Sequence, residues 1–170
     1  MQTAEDLFYA EGIRAVGVER LLEESGVGRA SFYRHFASKD DLVETVLSER
    51  DRQWRQLLAE GVAARGDHPL AVFDFLAERF ARADYRGCAF INAMAEIGDA
   101  DAAVYRLARA HKAAVTDYLA GLLEKAGYAS SATLAAQLML LIDGALVTAL
   151  RERSAEPAHR AKAVAEALLG

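Results

Sequence analysis

The chain of 170 residues has one cysteine and two prolines, and it contains no repeat and no low-complexity tract. One cysteine cannot close an internal disulfide, so the fold does not depend on oxidation. It also excludes structural zinc sites that draw two or more thiolates from one chain. No HExxH, Walker A loop, Rossmann glycine pattern or GxSxG occurs, and none of the four histidines (His35, His68, His111, His159) stands in a sequence-local catalytic pairing. The reading is therefore not an enzyme, with no cofactor and no metal. The opening Met1-Gln2-Thr3-Ala4-Glu5-Asp6 has neither a basic stretch nor an apolar run behind it, so no secretory signal is read and a cytoplasmic location is expected. Positive charge is in the minority, 20 Lys and Arg against 25 Asp and Glu, a net of −5. That balance argues against a protein that coats nucleic acid without specificity, while leaving room for a local basic surface. What is abundant is apolar: 53% hydrophobic and 26% charged residues, the balance of a globular chain.

Almost every segment reads with a helical period and none alternates as a strand would, so the expected fold is all-α, with about nine helices. Glycine and proline mark the breaks. The spacing predicts helices over Glu5–Ala10, Gly17–Ser25 and Arg29–Phe36, then a longer one from a Ser38 cap to about Ala64, with Asp41 completing something close to a capping box. Further helices are expected over Pro69–Ala83, Cys88–Ile97, Asp101–Ala126, from Ser130 or Ser131 to about Arg151, and over Pro157–Leu169. Residues 1–46 read as a small head and 47–170 as a helical body, with the boundary inside the Ser38 helix.

Two short helices joined by Gly26-Val27-Gly28 form a helix-turn-helix pattern. Val18, Leu21, Leu22, Phe32 and Phe36 are expected to close a small core with Leu7, Phe8, Val16 and Leu42, with Val27 pointing inward and Gly26 taking a left-handed backbone. The other face of the second helix carries Arg29, Ala30, Ser31, Tyr33, Arg34 and His35. Charge sharpens this: residues 1–50 hold six basic and ten acidic side chains, yet Ser25 to Lys39 contains Arg29, Arg34, His35 and Lys39 and no acid. Small and polar residues at the start of that helix permit close approach to a major-groove floor. Tyr33 and His35 can donate to phosphates, and Lys39 can pair with one.

The run Leu7-Phe8, Gly12, Val18, Leu21-Leu22, Ser25-Gly26-Val27, Phe32-Tyr33-Arg34-His35-Phe36 and Ser38-Lys39-Asp40-Asp41-Leu42 resembles the DNA-binding head of the tetracycline-repressor (TetR) family. The resemblance in motif covers about residues 7–47; the rest is similar in plan. It implies a homodimeric, ligand-responsive regulator of transcription, most simply a repressor on a palindromic double-stranded DNA operator, released by a small-molecule effector. It also implies that Arg29, Ala30 and Ser31 face bases and that Tyr33, His35 and Lys39 face phosphates. The family usually has Thr or Ser where Gly17 stands, often Ser where Gly28 stands, and basic residues a turn or two ahead of Leu7; this chain lacks both hydroxyls and starts close to Leu7, so the basic arm is either missing or not included in the sequence. The alternative they suggest is a dimeric small-molecule-binding protein whose head reads DNA weakly or not at all.

In the body, Ser131 to Leu150 carries one charge, Asp143. Asp143, Gly144 and the interspersed Ser131, Thr133, Gln137 and Thr148 favour a helix covered by protein over a membrane span. Pairing it with the last helix (Ala163, Val164, Ala167, Leu168) across a two-fold gives a four-helix interface; the bland alternative is the core of one subunit. Asp143 is expected to meet an Arg of the partner or to sit at the seam edge. Phe73, Phe90, Asn92, Met94, Tyr105 and His111 are candidates for an effector pocket, or for plain core, and Cys88 reads as a small buried hydrophobe.

Overall fold

The computed structural model describes residues 1–98 and 102–170. The described residues form nine helices and no strand: α1 (Gln2–Glu11), α2 (Val18–Ser25), α3 (Arg29–His35), α4 (Lys39–Ala63), α5 (Ala71–Phe80), α6 (Ala89–Glu96), α7 (Ala103–Lys125), α8 (Ser131–Glu152) and α9 (Glu156–Leu169). The all-α expectation is met. Asp101, expected to open the seventh helix, lies outside the described residues. Two other helix starts differ from expectation by more than one residue. α1 begins at Gln2, a turn before Glu5, because the Ala4 and Glu5 amides already donate to the Met1 carbonyl. α5 begins at Ala71: Pro69 and Leu70 form a turn, closed where the Leu70 amide donates to His68 Nδ1 at 3.2 Å.

The chain divides into two compact units. The first comprises Met1–Gln53 with Ala89–Arg109, the second Trp54–Cys88 with Ala110–Gly170. In the first, Phe8, Ile13, Val16, Leu21, Phe32, Leu42, Val43, Val46 and Leu47 are buried, and Val16 is completely enclosed. Leu7, Val18, Leu22 and Phe36 lie half-buried around them. Val27 does not point inward; it is 42% exposed. The left-handed turn at Gly26 (φ 66°) carries it outside the packed face, which Leu21 and Phe32 already fill. At the start of α4, Ser38 Oγ accepts the Asp41 amide at 3.1 Å, and the Asp41 carboxylate reaches back to the Ala37 amide at 2.9 Å. That is the capping-box logic displaced by one residue.

The second unit is built on α5, which buries seven of its ten residues, and on the pairing of α8 with α9. α8 turns Ala135, Leu138, Met139, Ile142, Ala145, Leu146 and Ala149 into the core, a stripe at helical spacing. α9 answers with Ala158, Ala161 and Ala165, side chains short enough for close helix approach. Lys162 of α9 donates to both carboxylate oxygens of Asp74 of α5 at 2.8 Å. By length and composition α8 is apolar enough to cross a membrane. Its packing against α9, and the Tyr85 hydroxyl donating to the Leu146 carbonyl at 2.8 Å, are those of a core helix. Asp143 pairs with Lys112 of α7 in the same chain rather than waiting for a partner's arginine. Cys88 is half-buried at the edge of this core, less enclosed than expected.

Candidate nucleic-acid interface

α2 and α3 both start at glycines with extended backbone, Gly17 (φ −81°, ψ 164°) and Gly28 (φ −67°, ψ 145°), and neither helix has a side-chain cap. Between them Ser25 Oγ donates to the Leu21 carbonyl at 2.5 Å, closing α2. Gly26 then reverses the chain into α3. Phe32 anchors α3: it is 5% exposed, with Phe36 beside it at 5.6 Å. An anchor on one side dictates what the other side shows.

Arg29, Ala30, Tyr33, Arg34 and His35 are all exposed, and Ser31 is half-buried. The predicted groove-facing residues of α3 therefore lie together on the outward side of one short helix. The Tyr33 ring stands edge-on to Phe32 (5.1 Å, 86°), so the buried ring braces one that is itself 49% exposed. Arg34 donates to Ser31 Oγ at 3.3 Å, folding back along α3. Lys39 behaves differently: it is half-buried and its Nζ donates to the Ile13 carbonyl at 2.5 Å, stapling the start of α4 to the α1–α2 loop. Arg29 is ion-paired with Glu19 of α2. No acid interrupts Ser25 to Lys39 in sequence, but the fold brings one to the strip from outside it. Sequence reading missed Glu19 because the pair spans ten residues and two helices, where no local period operates.

The same unit contains a cleft of about 30 Å³ lined by α1, α4 and α6, with Tyr9, Arg50, Asn92 and Glu96 among its polar residues. Arg50 pairs with Glu5 at 2.6 Å and lies over the Tyr9 ring at 4.2 Å. Glu96 accepts the Arg14 amide at 2.7 Å, and a Cβ on Gly12 would approach its carboxylate to 3.1 Å. Of the residues proposed for an effector pocket, Asn92 lines this cleft. Phe90 of α6 is buried, and the Tyr105 hydroxyl donates to the Met94 carbonyl at 3.1 Å. Phe73 and His111 belong to the second unit, where Phe73 is 1% and His111 4% exposed. Glu5, Tyr9, Arg50 and Glu96 were not among the predicted residues. Among the described residues no cluster of His, Cys, Asp and Glu is arranged to hold a metal ion.

The family model "Bacterial regulatory proteins, tetR family" matches residues 1–46. The crystal structure of a TetR-family transcriptional regulator from Streptomyces coelicolor is 31% identical, covers 99% of this chain and 90% of its own, and superposes with a TM-score of 0.89. The chain belongs to the TetR family. A TetR regulator of Streptomyces avermitilis is 26% identical over 97% of this chain and 94% of its own, with a TM-score of 0.79. The HTH-type transcriptional regulator in the lacX 3' region of Lactococcus lactis subsp. lactis is 26% identical over 106 residues, 59% of this chain. The chain spans about half the length of that curated relative, 54%. The chain is thus similar along its length to a TetR-family transcriptional regulator, and its helix-turn-helix lies within the residues that the family model matches.

Proposed function

We propose that this TetR-family protein is a repressor that binds a palindromic operator as a homodimer and leaves it when a small apolar effector binds. Residues 1–46 form its DNA-binding part and residues 47–170 its regulatory and dimerising part, and it works in the cytoplasm. The observation that carries the DNA reading is the outward row of α3, where Arg29, Tyr33, Arg34 and His35 stand exposed on a segment that holds no acid of its own. Arg29, Ala30 and Ser31 read base edges; Tyr33 and His35 meet phosphates, and Lys39 does so with the N–H donors that its bond to the Ile13 carbonyl leaves over. Two such helices, one per subunit, enter successive major grooves about 34 Å apart. Support for the homodimer comes from apolar side chains that stay open on the dimerising helices: Leu140 is 74%, Val147 53% and Val164 54% exposed. Within the first unit, Phe90, Asn92, Met94 and Tyr105 are the residues we assign to the effector, with Asn92 lining the cleft.

A second reading is favoured by the uncapped starts of α2 and α3. With no hydroxyl at Gly17 or Gly28, two backbone contacts to phosphate are missing, and a dimeric small-molecule-binding protein with a weakened head follows. Fluorescence anisotropy on a pool of genomic duplexes decides between them. The repressor reading expects sequence-selective binding whose affinity falls steeply as salt rises. Failure to bind any fragment at low salt rejects it in favour of the second.

A further inference from the structure

We propose that Glu19 is a positioning residue that aims Arg29 at the base it reads. The proposal rests on the DNA-reading role given to α3 above. Glu19 lies in the first turn of α2 and Arg29 is the first residue of α3, so their ion pair ties together the leading ends of the two helices. Both side chains are open to solvent, 75% and 58% exposed. The pair therefore satisfies no buried charge, and exposed pairs of this kind add little to stability. Its consequence lies in geometry.

Arginine has a long, rotamer-rich stem, and a free one samples many directions before it can present its fork to a guanine edge. The immediate surroundings of Arg29 offer little to hold it. Gly28 has no side chain, Ala30 is small and exposed, and Arg34 leans on Ser31 instead. Glu19 is the partner the fold supplies. The guanidinium carries five N–H donors; Arg29 reaches Glu19 through Nη2, leaving other donors of the fork for a base.

The carboxylate also has a cost for binding, since it sets a negative charge beside the strip that approaches phosphates. The two effects have opposite signs. Glu19 lowers affinity for DNA at large and raises discrimination at the base pair Arg29 reads.

The experiment uses the full chain and random duplexes two helical turns long. Sequences selected by the wild type are compared with single-base variants and with a scrambled duplex, for the wild type, E19A, E19Q, R29A and E19A/R29A. Circular dichroism first confirms equal helicity, which the exposure of Glu19 leads one to expect. R29A should lose discrimination at one base pair. E19A should lose on the order of tenfold at that same base pair, while binding the scrambled duplex more tightly. E19Q keeps an acceptor oxygen without the charge, so it should recover most of the discrimination and retain the tighter scrambled binding. E19A should change nothing at that base pair in the R29A background. If E19A discriminates like the wild type while R29A does not, the positioning role is overturned and base reading by Arg29 stands. If R29A discriminates like the wild type, base reading by Arg29 fails and the role of Glu19 with it. If the wild type selects no sequence, the DNA reading itself is overturned.

Discussion

Gly17 and Gly28 look alike in sequence to Gly12 and Gly26, but the backbone separates them. Gly12 (φ 96°) and Gly26 (φ 66°) sit where an L side chain is strained, and substitution there works against the fold. Gly17 and Gly28 have ordinary extended backbone at helix starts, and a Cβ at either would meet nothing within 4 Å. Glycine is not required at these two positions. A serine would cap the helix with its hydroxyl and leave that hydroxyl at the edge of the groove-facing surface. Gly17→Ser and Gly28→Ser should each stabilise the fold by about a few tenths of a kcal/mol, since serine exceeds glycine at an N-cap by only that much. DNA affinity should rise in both, read by anisotropy at fixed salt. A gain in melting temperature with no gain in affinity would mean that neither cap position touches the backbone of DNA. The left-handed turn at Gly26 was legible from its place between two short helices. The outward turn of Val27 was not, because an apolar residue next to a reversal gives no signal of which side the reversal presents.

At the scale of elements, hydrophobic period revealed the nine helices of the described residues, because each buries a face. Ends were less legible: backbone hydrogen bonds extend α1 to Gln2, and a histidine nitrogen holds the Pro69 turn outside α5. Contacts between elements far apart in sequence were invisible for a simpler reason. The Glu96–Arg14 contact spans 82 residues and the Lys162–Asp74 pair 88, and no spacing rule reaches that far. Gly61 is the sharpest case. It lies inside α4, where glycine is unfavourable by about 1 kcal/mol relative to alanine, so sequence alone would recommend Gly61→Ala. The structure reverses the sign. A Cβ at Gly61 would lie 2.3 Å from the Phe75 ring. That ring is 7% exposed and packed 5.7 Å from Trp54, with little room to retreat. Overpacking of this kind costs about 1–3 kcal/mol. Gly61→Ala should therefore destabilise the protein in urea denaturation despite its better helix propensity. Gly61→Ala combined with Phe75→Leu should recover part of the loss. A stabilised Gly61→Ala would mean that Phe75 moves freely.

For the whole molecule, the open question is what covers the apolar residues that the second unit leaves in water. Leu140, Val147 and Leu150 of α8, with Val164 and Leu168 of α9, are between 37% and 74% exposed, next to the buried stripe that already packs the two helices together. Gly144 lies among them with no heavy atom within 4 Å of where its Cβ would be, so another helix could come close there. The homodimer proposed above would cover these residues with a second copy related by a two-fold axis, and each residue would then count twice in the interface. Burying a leucine is worth about 1.5–3 kcal/mol, and placing a carboxylate there adds the cost of desolvating a charge. Leu140→Glu should raise the dimer dissociation constant by at least about a hundredfold. Sedimentation equilibrium at micromolar concentration should give the wild type a mass twice 18.4 kDa and Leu140→Glu a mass near 18.4 kDa, with unchanged helicity. Operator affinity should fall with the mass, because a lone head engages one half-site. A wild type that sediments as a monomer rejects the dimer. A Leu140→Glu variant that remains a dimer moves the interface away from this face of α8.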